Sequence, residues 1–295
     1  MIRRTVFARF LSRSSFLLLL ACGLIPLLAS PVRAQQRPLL TEDPEPIGAG
    51  RVLLEAGFDF AHDQHYPVSG LDGDLMRIPT IGVSVGLSSI AEFQIDGGLH
   101  NRLAISNRNL AAPLASLVTA TGDVTTGFED IVIATKIRVV GETPSRPALG
   151  LRFATKLPTA TNESGLGLDT TDFSFSALGA KTVQSVRVVG NLGVGILSDP
   201  TVGNRQNDVL LYGVSFARAV TQAAEIVGEL NGRVSTRSGS AFPGTETRGI
   251  LKAGGRYTHG SARFDAGVFF GLTSVDPTIG FTVGVTYVFN AFTVP

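Results

Sequence analysis

Long apolar runs and cysteines are both scarce in this sequence. Beyond residue 34 no stretch approaches the roughly 18 consecutive apolar residues of a membrane helix, although 44% of the chain is hydrophobic. The only cysteine, Cys22, precedes that point, so residues 35–295 have neither disulfides nor thiol chemistry. An apolar chain without long apolar runs indicates alternating strands, because alternation hides hydrophobicity from window averages.

The first 34 residues predict export. Arginines crowd the first 13 residues, an apolar stretch follows at 16–28, and Val32-Arg33-Ala34 offers a small-residue cleavage site. This is the layout of a secretory signal peptide, and we expect cleavage after Ala34. Leu19-Leu20-Ala21-Cys22 leaves lipidation of Cys22 open, but the apolar residues after Cys22 favour its loss with the signal.

Positive charge is also lacking after the expected cleavage. The signal takes five of the 25 basic residues and none of the 24 acidic ones, so the remainder carries a net charge of −4. Nucleic acid is therefore not an expected partner, because its binding relies on basic surfaces.

Alternation of apolar with polar or small residues repeats along the rest of the chain. In 279–289, for example, Phe281, Val283 and Tyr287 share one face, while Thr282 and Thr286 share the other. The same pattern occurs at 51–60, 92–99, 130–139, 149–157, 172–180, 187–196, 225–234, 248–258 and 263–270, whereas 75–86 and 208–219 are apolar on both faces. About twelve strands of about ten residues suit tilted membrane strands.

The predicted fold is all-β, an up-and-down antiparallel transmembrane barrel. Short connections (87–89, 141–146, 183–185, 220–222, 259–261) alternate with longer ones (61–74, 103–126, 158–171, 198–207, 235–246) and a brief one at 274–278. Short periplasmic turns and long external loops are typical of such barrels. A secreted β-sandwich also alternates, but its strands are shorter and its outer faces are polar.

Four segments are expected. Residues 1–34 are the signal peptide, 35–50 a periplasmic N-terminal arm or partial plug of the lumen, 51–290 the barrel, and 291–295 a C-terminal tail. Three prolines keep 35–50 out of a central strand. Loop 103–126 has an apolar, helix-capable centre and is either mobile cover or an inward-folding constriction.

Two stretches carry a resemblance to a known family. Arg37-Pro38-Leu39-Leu40-Thr41-Glu42-Asp43-Pro44 is followed later by Lys156-Leu157-Pro158-Thr159-Ala160 and Asn162-Glu163-Ser164-Gly165-Leu166-Gly167. The combination resembles the outer-membrane transporter family named for the meta-pathway of phenol degradation, across residues 37–290. The resemblance implies a barrel in the Gram-negative outer membrane that passes aromatic or other poorly soluble compounds.

Charged residues on the polar face of the strands are the lumen-lining candidates. They are Glu55, Asp59, Glu92, Asp96, Lys136, Arg138, Arg152, Lys156, Glu225, Glu229, Lys252 and Arg256. The four cations on 130–139 and 149–157 should form one cationic patch on neighbouring strands. Glu225 and Glu229 should form cross-strand ion pairs with the cations of 248–258. Such groups either brace the wall or filter solutes by charge.

Enzyme chemistry has weaker support. His100 lies on a strand with lumen parity, while His62, His65 and His259 fall in connections, so a serine hydrolase arrangement is hard to assemble. His62, Asp63 and His65 form only a weak candidate metal site. We expect no catalytic residues, metal or cofactor.

The expected function is therefore passive passage of small molecules through an outer-membrane barrel. Alternatives are a barrel enzyme of lipid-hydrolase type and a structural or surface-binding barrel. The expected partners are outer-membrane lipid, small-molecule solutes and the barrel assembly machinery.

Overall fold

The computed structural model describes residues 37–293, which form an all-β structure; the expected signal peptide lies outside the described residues. Within 37–293 no helix is long and apolar enough to cross a membrane. The strands are β1 (Arg51–Tyr66), β2 (Leu71–Gly86), β3 (Ala91–Gly98), β4 (Asn101–Arg108), β5 (Val124–Gly127), β6 (Val132–Val140), β7 (Ala148–Lys156), β8 (Asp172–Val183), β9 (Val186–Ser198), β10 (Gln206–Ala219), β11 (Ala224–Ser235), β12 (Arg248–His259), β13 (Ala262–Gly271) and β14 (Ile279–Asn290).

The strands close into an antiparallel barrel. From β6 to β14 each strand pairs with the next one in the sequence, and β1 pairs with both β2 and β14. β3 and β4 lie end to end along β2, and β5 and β6 lie end to end along β4 and β3. Counted as one interrupted strand each, these pairs give a closed barrel of twelve strands, which confirms the predicted fold. We call the end where β1 begins the terminal end, and the other end the loop end.

The two faces of the wall differ as the alternation predicts. On β14, Phe281, Val283 and Tyr287 are exposed on the outer surface, whereas Thr282 and Thr286 are buried inside. Outward side chains on the other strands are likewise mostly Phe, Leu, Ile and Val. A continuous apolar exterior around a closed sheet is suited to lipid, because every backbone hydrogen bond is made within the wall.

Two irregularities in the β1–β2 pairing correct the sequence prediction of a long loop at 61–74. His62 and Asp63 bulge opposite Asp74, and Ile78 and Pro79 bulge opposite Phe58. Each bulge shifts the alternation by one residue, so the strand pattern disappears from the sequence while the strand continues. The hairpin closes with a turn of only four residues, 67–70.

The predicted loop 103–126 is also shorter than expected. β4 continues to Arg108 and β5 begins at Val124, which leaves 109–123 with one 3-10 turn at Ala115–Leu117. His100 was predicted on a strand facing the lumen, but it is exposed in the break between β3 and β4. Its carbonyl accepts a hydrogen bond from Ile78 N–H at 2.9 Å, so the wall stays paired across the break.

A matched pair of substitutions on β8 tests which face meets lipid. Ala177 points outward, whereas Ser174 points inward opposite the small residues Ala154 and Gly195. Ala177→Arg should lower the free energy of unfolding by about 2–4 kcal/mol, because an arginine in mid-membrane is poorly solvated. Ser174→Arg should cost clearly less, as measured by urea unfolding in lipid vesicles. The reverse ranking would mean that the faces are assigned wrongly.

Candidate functional site

Residues 37–50, here called the arm, fold back into the lumen rather than joining a strand. Near its middle, the backbone N–H groups of Leu40 and Thr41 both donate to one carboxylate oxygen of Glu229, at 2.6 Å each. Glu42 N–H donates to Asn191 Oδ1 at 2.6 Å, and Asn191 Nδ2 donates back to the Glu42 carbonyl at 2.8 Å. These bonds satisfy backbone groups that would otherwise be buried without partners.

The acidic side chains of the arm neutralise cations of the wall. Glu42 lies 3.1 Å from Arg152 Nε and 3.4 Å from Lys136 Nζ. Asp43 forms a bidentate pair with Arg187, with both N···O distances at 2.6 Å. Planar, two-bond pairing of this kind fixes orientation as well as charge. The arm is therefore held at defined positions along its length.

Arg187 and Arg138 extend this anchoring toward the terminal end. Arg138 pairs with Glu45 of the arm. Arg187 also donates to Glu142, in the turn between β6 and β7, at 2.6 Å. Burial tends to raise the pKa of Glu142, but hydrogen bonds from Thr182 N–H and Arg187, with the charge of Arg187, outweigh it and lower that pKa.

The start of the arm reaches the opposite side of the lumen. Lys252 donates to the Pro38 carbonyl and Arg256 donates to the Arg37 carbonyl, both at 2.7 Å. The Arg37 guanidinium contacts four side chains of the wall: Thr80 at 3.0 Å, Thr282 at 2.9 Å, Asp265 at 3.6 Å and Asp59 at 3.7 Å. The arm thus crosses the barrel interior from β3 and β6 to β12 and β14.

A dry ion-pair cluster fixes the other end of the arm. Lys136 is fully buried, with Glu92 at 2.9 Å. The second oxygen of Glu92 accepts the backbone N–H of Ile47 at 2.7 Å. Ile47 packs against Leu53 and Val288 of the wall. Buried charges persist only when paired and hydrogen-bonded, as these are.

The structure places the twelve candidate residues on the inner face, but their pairing differs from the prediction. The expected cationic patch is wrong, because arm acids and neighbouring carboxylates neutralise its members. Lys156 lies 3.0 Å from both Asp130 and Asp172, and Arg152 lies 3.8 Å from Asp96.

Of the two expected cross-strand pairs, one forms. Glu225 lies 3.7 Å from Arg256. Glu229 and Lys252 are register partners, yet both bond to the arm backbone instead. The remaining candidate, Glu55, accepts a hydrogen bond from Thr286 Oγ1 at 3.0 Å.

Above the arm, toward the loop end, lies a cavity of about 740 Å³. Leu40 of the arm contributes to its lining, with loop residues such as Val68 and Leu168 on the other side. Ala61, Leu75 and Phe269 in its lining belong to a buried apolar cluster that also contains Leu71 and Leu103. Ligand sites of this size are usually apolar with a few placed polar groups. Sequence reasoning missed this cluster; its one signal was the two-sided apolarity of 75–86.

Two histidines pair with aspartates near the loop end of the barrel. His62 bonds to Asp74 at 2.7 Å and His65 to Asp72 at 2.8 Å, on the β1–β2 hairpin. Within residues 37–293 no three His, Cys, Asp or Glu side chains are grouped to hold a metal ion, and no histidine there hydrogen-bonds to a serine.

Solved structures with the same fold include an outer membrane channel from Pseudomonas putida F1. It has 14% identity and a TM-score of 0.57, with 84% of this chain and 98% of that chain covered. The translocator domain of the autotransporter NalP from Neisseria meningitidis has 14% identity and a TM-score of 0.46, over 81% of this chain and 88% of that one. No curated protein matches the sequence.

Comparison of the sequence with family profiles identifies the family. The profile of the family described as MetA-pathway of phenol degradation matches residues 41–289. That match covers almost the whole barrel and the acidic part of the arm, and the earlier resemblance is thereby confirmed. The chain belongs to this family.

Proposed function

We propose that the protein is an outer-membrane channel for passive passage of small, poorly soluble molecules, aromatic compounds among them. The observation that carries the proposal is the cavity of about 740 Å³ inside a closed barrel, with Ala61, Leu75 and Phe269 of an apolar cluster in its lining. Barrels that form water-filled pores for hydrophilic solutes have a polar interior, whereas this cavity has apolar side chains in its lining. The name of the similar Pseudomonas putida channel supports the class.

The setting we propose is the Gram-negative outer membrane. Residues 1–34 act as a signal cleaved after Ala34, the apolar exterior contacts outer-membrane lipid, and assembly machinery inserts the barrel. Long connections such as 109–123 and 236–247 then face outward and the short turns face the periplasm.

For the lumen charges we propose an anchoring role. Most of the twelve residues contact the arm or an acid–base partner. A charge already neutralised at contact distance produces little field along the path of a solute. Solute choice then depends on the cavity rather than on a charged ring.

Dye entry into intact cells tests the function. N-phenyl-1-naphthylamine, an apolar dye that fluoresces in lipid, should enter cells expressing the protein several-fold faster than cells with an empty vector. Entry of radiolabelled sucrose, a hydrophilic and uncharged solute, should be unchanged. Equal dye entry into expressing and empty-vector cells would contradict the channel proposal. Faster entry of both probes into expressing cells would indicate an open aqueous pore. Lipid hydrolysis by the purified barrel would favour the enzyme alternative.

A further inference from the structure

Two arginines face the cavity side by side. Arg233 on β11 and Arg248 on β12 are direct cross-strand partners, and both line the cavity. Like charges placed opposite each other across a strand pair are destabilising unless something neutralises them. The two guanidinium groups should therefore be stabilised by nearby groups or by a bound anion.

Arg233 is held by backbone carbonyls of the 244–246 loop. It donates to the backbone carbonyls of Glu246 at 2.9 Å and Gly244 at 2.8 Å. Among residues 37–293 it forms no ion pair with an acid, although Glu246, Asp172 and Asp276 lie near enough to interact with its charge. Arg248 has one acid, Asp276, at the long distance of 3.9 Å.

Asp276 is occupied by other donors. Its Oδ2 accepts hydrogen bonds from Gly249 N–H at 2.9 Å, from Thr273 N–H at 3.2 Å and from the Thr273 hydroxyl at 2.7 Å. This carboxylate organises the 272–278 turn. Within the described residues, neither guanidinium of the pair therefore has a carboxylate at hydrogen-bond distance.

Two other cations of the same cavity have two acids each. Arg77 lies 2.9 Å from Asp59 and 2.8 Å from Glu129. Lys156 is likewise shared by two aspartates. Lys252, which also lines the cavity, donates to the Pro38 carbonyl of the arm instead. Arg233 and Arg248 are thus two adjacent cations of the lining without a close carboxylate.

Apolar side chains adjoin the arginine pair. Ile250 follows Arg248 by two residues, so it shares the inward face of β12. It packs against the apolar cluster that contains Phe269 and Leu75. One part of the cavity wall is therefore cationic and the neighbouring part is apolar.

We propose that the cavity binds small monocarboxylates with an apolar body, such as an aromatic acid, with the carboxylate on Arg233 and Arg248. A guanidinium fork matches a carboxylate in two parallel hydrogen bonds. The apolar body then covers Ile250 and Phe269. A phosphate ester fits less well, because its doubly charged, strongly hydrated group would lie beside an apolar wall. This inference rests on the proposed channel function and names the class of solute.

Calorimetric titration of the full barrel in detergent tests the inference by comparing the affinities of two ligands that share a ring and differ in charge. Benzoate should bind about tenfold or more tightly than benzyl alcohol, which has the same ring and no charge. Arg248→Gln and Arg233→Gln should each remove most of that preference and leave benzyl alcohol binding unchanged. Arg205→Gln is the control, because Arg205 is an exposed arginine paired with Asp199 outside the cavity lining.

The results of the titration and of the dye assay distinguish failure of this inference from failure of the channel proposal. Equal binding of the two probes to the unmodified protein would overturn the inference, as would an equal loss of both in the variants. Arg248→Gln leaves the Arg233 bonds to the 244–246 loop intact, so it separates ligand binding from loop anchoring. If the dye enters cells but the purified barrel shows no preference for benzoate, this inference fails and the channel proposal stands. Arginine-dependent benzoate binding without dye entry would instead defeat the channel and leave a binding site.

Discussion

A disulfide between the arm and the wall should stop dye entry. A Cβ added at Gly213 on β10 would lie 3.6 Å from the Cβ of Thr41, within the roughly 3.5–4.5 Å that disulfides require. The Thr41 hydroxyl is buried without a hydrogen-bond partner, so its replacement removes no bond. Residues 35–295 contain no other cysteine. In cells expressing Thr41→Cys with Gly213→Cys, entry of N-phenyl-1-naphthylamine should fall to the empty-vector level after oxidation.

The physical reason is that the arm lies across the lumen below the cavity, bonded to opposite walls through Glu229 and Lys136. A solute leaving the cavity toward the terminal end must displace it. Reductant should restore entry to the unmodified rate, and either cysteine alone should be insensitive to oxidant. If the oxidised double variant still admits the dye, the arm does not move during passage and the exit lies elsewhere.

Periodicity in the sequence predicted the wall because strand alternation is a local property. All twelve strand positions were found from it, and even the two-sided segments 75–86 and 208–219 are strands. Where it failed, around 61–74, bulges at His62 and Asp63 shifted the parity. A one-residue shift exchanges the faces and removes the pattern on which the prediction depends.

The candidate site was less predictable, because its contacts join residues far apart in the chain. Lys136, Arg138, Arg152 and Lys156 were expected to form a cationic patch on neighbouring strands. Glu42 and Glu45 of the arm pair with the first three of them, beside acids of the wall such as Glu92. The arm was considered as a plug only because its prolines exclude a central strand. The acidic residues of the arm and the basic residues of the wall were the sequence feature from which their contact could have been predicted.

The charge complementarity of arm and wall also accounts for the position of the apolar cavity. Polar bonds to the arm fill the terminal half of the lumen, from Glu92 to Arg256. The loop half has no arm, and there the bulged β2 turns Leu71 and Leu75 inward. The arm and its polar contacts therefore occupy the terminal half of the barrel, and the cavity with its apolar cluster lies in the loop half.

Loss of the buried Lys136 amine should have the largest effect on stability. Lys136→Met leaves the carboxylates of Glu92 and Glu42 without their shared cation in a site closed to water. Breaking a buried pair by removing one partner costs about 3–5 kcal/mol, since the remaining charge stays desolvated. Urea unfolding in lipid vesicles should show a decrease of that size in the free energy of unfolding.

Arg138→Met is the matched comparison, two residues along the same strand face. Its side chain is 27% exposed and pairs with Glu45 of the arm, so solvent screens the charge that remains and the loss should be about 1 kcal/mol. Adding Glu92→Gln to Lys136→Met should recover part of the lost stability, because an amide carries no charge to desolvate. If Lys136→Met is no more costly than Arg138→Met, water reaches the cluster and the arm does not seal the terminal half of the lumen.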